Sequence, residues 1–148
     1  MKAVHPYLNF SGNTEEAFAF YQSVFGGEVF GVMRFRDFPD NAMNVPEGDL
    51  DKIAHIALPL GQGTVLMGTD ALSSLGQTLR MGNNAYIYLE ADSAEEAQGL
   101  FSALAEGGHT EMPLQRVEWA ERYGVCTDKF GVQWMVGYTG DAGQAAAQ

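Results

Sequence analysis

The chain has 148 residues, 8 of them basic and 19 acidic, for a formal charge of -11, and 46% of its residues are hydrophobic. That length suits one cored domain that buries roughly two thirds of its unfolded surface, and the charge repels phosphate backbones and anionic lipid, so neither nucleic acid nor a membrane is expected as a partner. Apolar runs are too short to cross a bilayer, and the single cysteine, Cys126, cannot close an internal disulfide or build a thiolate cluster.

The start of the chain, Met1-Lys2-Ala3-Val4-His5-Pro6, lacks the apolar core and cleavage site of a secretory signal, so a cytoplasmic location is expected. Residues 4–10 read as a strand with Pro6, Leu8 and Phe10 on one face and His5, Tyr7 and Asn9 on the other. A helix follows, with Asn13 as its cap, Glu16 three residues on, an apolar stripe of Ala17, Phe20, Tyr21, Val24 and Phe25, and Gly26-Gly27 as its stop. Strands are predicted over 28–38, 52–60 and 64–69, the last two joined by Gly61-Gln62-Gly63. Arg34 and Arg36 alternate along the first of these, as a clamp for a carboxylate or phosphate or as a solvated pair that offsets the acidic surface. The Pro-, Asn- and Asp-rich run 39–49 reads as a long irregular loop, either a lid or a contact with another subunit.

After a linker over 71–83, the plan repeats. Residues 85–91 alternate, with Leu89 and Ala91 placed like Leu8 and Phe10, and Tyr86, Tyr88 and Glu90 placed like His5, Tyr7 and Asn9. Ser93 caps the second helix, Glu96 completes a capping box, Ala97, Leu100, Phe101 and Leu104 form the stripe, and Gly107-Gly108 stops it. A strand over 110–117 precedes a hairpin of 122–127 and 132–138 around Asp128-Lys129-Phe130-Gly131. Cys126 lies within that hairpin, as a small buried hydrophobe rather than a nucleophile. Each half reads β-α-β-β-β, and one such module cannot bury both faces of its sheet, so the two are expected to combine around a cavity. The expected domain is 1–140, with modules of about 1–70 and 84–138 and a disordered tail over 141–148.

Pro6-Tyr7-Leu8-Asn9-Phe10, Gly12-Asn13, Phe25-Gly26-Gly27, Leu66-Met67-Gly68-Thr69-Asp70 and the closing Asp128-x-Phe130-Gly131-Val132-x-Trp134 stand in an order that resembles PhnB-like proteins. These are a branch of the glyoxalase, bleomycin-resistance and extradiol-dioxygenase (vicinal oxygen chelate) superfamily. The resemblance implies an α+β fold in which two βαβββ modules form a curved mixed sheet around a pocket, and it implies a homodimer. It also implies where metal ligands stand in metal-dependent members. His5 matches the first position, but Tyr86 falls at the second module's equivalent, Met135 near the closing carboxylate, and Leu66 or Met67 at the remaining one.

No metal is therefore expected, although His55, with Glu90 more distant, leaves a two-His arrangement open. No cofactor is expected either: Gly61-Gln62-Gly63 lacks the third glycine of a nucleotide loop and opens no helix, which speaks against the methyltransferase label some relatives carry. The candidate ligand-binding residues are His5, Tyr7, Asn9, Arg34, His55, Tyr86, Tyr88, Trp119 and Tyr123, while Trp134 reads as core. The expected function is metal-free binding of a small aromatic or amphipathic molecule. Its alternatives are a divalent-metal-dependent lyase, isomerase or dioxygenase, and a surface that serves only assembly with another protein.

Overall fold

The computed structural model describes residues 1–142, so the tail expected over 141–148 lies almost wholly outside the described residues. The chain divides into two compact units, at Arg80 and Met81. The first contains β1 (Tyr7–Phe10), α1 (Thr14–Phe25), β2 (Phe30–Arg34), β3 (Ile53–Leu60) and β4 (Thr64–Asp70). The second contains β5 (Ile87–Glu90), α2 (Ala94–Ala105), β6 (His109–Val117), β7 (Ala120–Thr127) and β8 (Gln133–Tyr138). Their sheets run β1-β4-β3-β2 and β5-β8-β7-β6, with the outer first strand parallel to its neighbour and the other pairs antiparallel. The fold is α+β, and the β-α-β-β-β plan is written twice.

In the first unit, α1 lies against β3 and β4. Its buried side chains are Thr14, Ala17, Phe18 and Tyr21. This corrects the predicted stripe: Phe18 replaces Phe20, Val24 and Phe25, which are only half-buried. Phe18 finds room because β4 offers it a glycine; a Cβ on Gly68 would come within 2.5 Å of the Phe18 ring. Burying that ring contributes about 2–3 kcal/mol.

Asn13 stands at the cap position of α1 but makes no side-chain cap hydrogen bond. Asp70, at the end of β4, takes the role. One carboxylate oxygen accepts from the backbone N–H of Gly12 (2.9 Å) and Thr14 (3.1 Å) and from the Thr14 hydroxyl (2.6 Å). The other accepts from the N–H of Ile53 at the head of β3 (2.8 Å). A carboxylate at the positive end of a helix satisfies donors that the helix itself leaves open.

The strand predicted over 28–38 is shorter. Register shifts break β2 between Phe30 and Met33 and again before Arg34. The chain then enters a 3-10 turn, Phe35–Asp37, which buries Phe35 against Val45 and Leu72. Arg36 thus lies in a turn and does not share a strand face with Arg34. Nor is the 39–49 segment irregular throughout: it holds 3-10 turns at Pro39–Asn41 and Glu47–Asp49, and the Asn41 side chain closes it by pairing with both the N–H and the C=O of Val45 at 2.9 Å.

The second unit follows the sequence more closely. Ser93 Oγ accepts from the Glu96 N–H at 3.0 Å, while the Glu96 carboxylate reaches back to the Asp92 N–H at 2.9 Å, a capping box displaced by one residue. Ala97, Phe101 and Leu104 are the buried face of α2, with Leu100 half-buried. In the closing hairpin, Asp128 is 3% exposed and accepts from the N–H of Phe130 (2.8 Å) and Val132 (3.0 Å) and from the indole N–H of the fully buried Trp134 (2.8 Å). The Asp-x-Phe-Gly-Val-x-Trp pattern is therefore one hydrogen-bonded turn. Trp134 is core, as expected.

The two carboxylates differ from Asn13 in what their loss costs. Asp70→Ala leaves several buried donors without an acceptor and should lower unfolding free energy by about 3 kcal/mol or more, whereas Asn13→Ala should cost under about 0.5 kcal/mol. Urea unfolding of the two variants reads the contrast directly; equal losses would overturn the assignment of Asp70 as the cap.

Candidate ligand-binding faces

Each sheet has a face without a helix, and most of the predicted site residues fall on these faces. In the first unit the register carries Tyr7 to Met67, Met67 to Ala57 and Ala57 to Phe30, with Asn9 opposite Thr69 and His55 opposite Met33 one step along. Gly68, one residue out of phase, meets Phe18 of α1 on the other side. Tyr7, Phe30 and Met33 remain 46%, 50% and 36% exposed.

The Tyr7 hydroxyl lies 3.0 Å from His55 Nδ1, the two ring centroids being 5.8 Å apart. Partial burial raises the Tyr7 phenol above its ordinary pKa, so it stays protonated. His5 sits just before β1, and its Nδ1 accepts from the Val65 N–H at 3.0 Å. Arg34 is turned elsewhere: its guanidinium pairs with both carboxylate oxygens of Glu15 on α1 (3.2 and 2.6 Å) and with the Asp51 carbonyl (2.7 Å). That pairing holds Glu15 below the usual carboxylate range. Arg36 is likewise held, by Asp51 at 2.8 Å. Of the two readings of these arginines, the pairing matches the one in which they offset acidic groups: nearby carboxylates already occupy both. Asn9 also borders an open depression of about 430 Å³ with Ala71, Gln77, Thr78, Leu79 and Arg80.

In the second unit Tyr88 lies opposite Met135, Met135 opposite Val125 and Val125 opposite Met112; Glu90 lies opposite Gly137 and Gly137 opposite Tyr123. The Tyr88 hydroxyl donates to Glu90 at 2.6 Å. It rests over the Cα of Gly137, where any side chain would collide with it, so the phenol's tip is shielded although the residue is 46% exposed. Burial first and the hydrogen bond to the Glu90 carboxylate second push its pKa up to about 12. Burial opposes the charge on Glu90, but donors from Tyr88 and from the Thr139 N–H (2.8 Å) and hydroxyl (2.9 Å) outweigh it, and the carboxyl stays below its ordinary range.

Tyr86 donates to Glu111 at 2.8 Å, and Thr127 donates to the other Glu111 oxygen at 3.2 Å. Trp119, in the turn between β6 and β7 and 52% exposed, meets Tyr123 edge-on at 5.4 Å. Glu111 and Thr139 escaped the sequence reading: a register shift in β6 displaces the first, and the second follows the last strand. Cys126 is fully buried and its thiol is pushed up to about 11, mainly by burial, which suits a core residue and not a nucleophile.

The family's metal positions do not make a donor set here. Tyr86 and Met135 replace two of the expected ligands, the Nδ1 of His5 is bonded to backbone, and among the described residues no three His, Cys, Asp or Glu side chains converge. Gly61-Gln62-Gly63 joins two strands and opens no helix, so it is not a nucleotide loop. No helix among the described residues is long and apolar enough to cross a membrane.

Comparison with known proteins agrees with this architecture. The profile of the Glyoxalase/Bleomycin resistance protein/Dioxygenase superfamily matches residues 3–136, and the chain belongs to that superfamily. Within it, the chain falls in the PhnB-like branch. It is 36% identical to protein YjdN of Escherichia coli (strain K12) over 138 residues, covering 88% of this chain and 91% of the relative. The crystal structure of PA1353 from Pseudomonas aeruginosa is similar at 39% identity with a TM-score of 0.80, covering 91% of this chain and 96% of that one. The PhnB protein of Bacillus cereus is similar at 26% identity with a TM-score of 0.72, covering 91% and 98%.

The Tyr88–Glu90 pair has a measurable signature. A phenol whose folded pKa is raised from 10.0 to about 12 contributes stability that is complete below about pH 10 and is lost as pH rises through about 12. Ultraviolet difference titration should show a tyrosine phase near pH 12. That phase should vanish in Tyr88→Phe and move to lower pH in Glu90→Gln; an unchanged titration in Tyr88→Phe would contradict the assignment.

Proposed function

We propose that the protein is a cytoplasmic small-molecule-binding member of the PhnB-like branch, a homodimer that acts without a resident metal. The observation that supports this reading is where the apolar surface lies. Besides Met1, Val4, Val32, Met43 and Met81, the large hydrophobic side chains left exposed among the described residues are Tyr7, Phe30 and Met33 on the helix-free face of the first sheet, Tyr88 and Met112 on that of the second, and Trp119 beside Tyr123. Exposed aromatic and apolar groups gathered on one face mark a binding surface, and scattered ones do not. Among them stand a few polar groups, Asn9 and the hydrogen-bonded His55, Tyr86 and Glu90, of the kind that orient a ligand.

The tyrosines and Trp119 supply flat surfaces for a planar ligand body. His5 supports this arrangement through the backbone, and Arg34 lies outside it. Residues 1–140 are taken as one functional domain.

A thermal-shift screen of planar aromatic and amphipathic compounds on metal-free protein tests the reading. A ligand at a hundredfold excess over its Kd stabilises by about 2.7 kcal/mol, which should raise Tm by about 5–10 °C. Tyr123→Ala should cut that affinity about tenfold. Failure of every compound to shift Tm, together with a stoichiometric divalent ion in protein purified without chelator, would replace this reading with that of a metal-dependent lyase, isomerase or dioxygenase.

A further inference from the structure

His55 is half-buried on the helix-free face of the first sheet, and Tyr7 is its only hydrogen-bond partner among the described residues. A neutral imidazole has one N–H and one acceptor nitrogen, and a phenol O–H is a better donor than an imidazole N–H. The raised pKa of Tyr7 keeps that phenol protonated. With Tyr7 as the donor to Nδ1, the proton of His55 resides on Nε2. Protonating the ring leaves an N–H at Nε2 as well, so this nitrogen is a donor in either state.

The surroundings of Nε2 are also particular. β2 is irregular between Phe30 and Met33, and the irregularity contains Gly31 in the left-handed region (φ +62°). A Cβ on Gly31 would stand 3.7 Å from His55 Cδ2 and 3.9 Å from Nε2. The glycine thus leaves a niche at the outer edge of the imidazole. A bulge of this kind commonly re-aims side chains beside a site. Phe30 and Met33 flank the niche, both exposed, and Met67 lies two strands over, opposite Tyr7.

We propose that Tyr7 fixes His55 as an Nε2–H donor for an oxygen acceptor, a carbonyl or carboxylate, on an apolar ligand that sits in the Gly31 niche against Phe30, Met33 and Met67. The proposal rests on the small-molecule-binding reading and narrows it to acceptor-bearing ligands. Tyr7 is a positioning residue here, and His55 touches the ligand.

Long-range proton–nitrogen NMR at about pH 8 reads the tautomer, with His55 assigned by its loss in His55→Gln. The wild type should show Nε2 protonated, and Tyr7→Phe should show a mixture of tautomers. Benzoate, benzamide and benzylamine are then titrated as size-matched probes. Benzoate and benzamide should shift the His55 resonances and benzylamine should not. Gly31→Ala should weaken the response at least about tenfold, and Tyr7→Phe supplies the second arm if Gly31→Ala does not fold by circular dichroism.

An Nδ1-protonated His55 in the wild type, an equal response to benzylamine, or silence of His55 toward every probe would overturn the proposal. Probe-induced shifts at Tyr88 or Tyr123 in the same samples would leave the broader reading standing without it, and silence there too would remove both.

Discussion

A buried carboxylate holds each unit in order. In the first, Asp70 gathers the start of α1 and the head of β3 at the end of β4, binding three elements that are far apart in sequence. In the second, Asp128 closes the turn between β7 and β8 and takes the Trp134 indole N–H as well. Burying a carboxylate costs several kcal/mol unless donors surround it, and both of these are surrounded. The consequence is directional. With α1 pinned at Asp70, its Thr14, Ala17, Phe18 and Tyr21 face can meet only one side of the sheet, and the other side is left for different work.

That other side has a consistent chemistry. Its apolar residues are flexible or flat, methionine and tyrosine above all, and its polar groups are tied in pairs: Tyr7 with His55, Tyr86 with Glu111, Tyr88 with Glu90. Pairing of this kind orients each group in advance and reduces the rotamer freedom lost when a ligand binds. Arg34 and Arg36 are paired with Glu15 and Asp51 at the exposed rim, where solvent screens such pairs.

How much of this the sequence disclosed depended on the range of each interaction. The cap of α2 was legible because Ser93 and Glu96 are three residues apart; the cap of α1 was not, because Asp70 lies 56 residues beyond Thr14. Period-two alternation placed Tyr7, Asn9 and Tyr88 on the correct faces. It failed in β2, where a register shift ends the strand at Arg34 and sends Phe35 into a separate buried cluster, because a bulge carries no periodic signal. Phe18 was missed because its cavity is made by Gly68 on another element. The Asp128 motif was recognisable as a family pattern before its physics was visible: a hydrogen-bonded turn needs those residue types at those spacings whatever the ligand.

The methionines offer the most direct test of the division between a helix-bearing face and the face proposed to bind ligand. Met33, Met67, Met112 and Met135 lie on the helix-free faces, and Met1, Met43 and Met81 lie outside the strands. In protein carrying labelled methionine methyl groups, a cell extract of small metabolites should perturb the NMR signals of the first four and leave the other three in place. Perturbations confined to Met1, Met43 and Met81, with the four sheet methionines unmoved, would contradict the account.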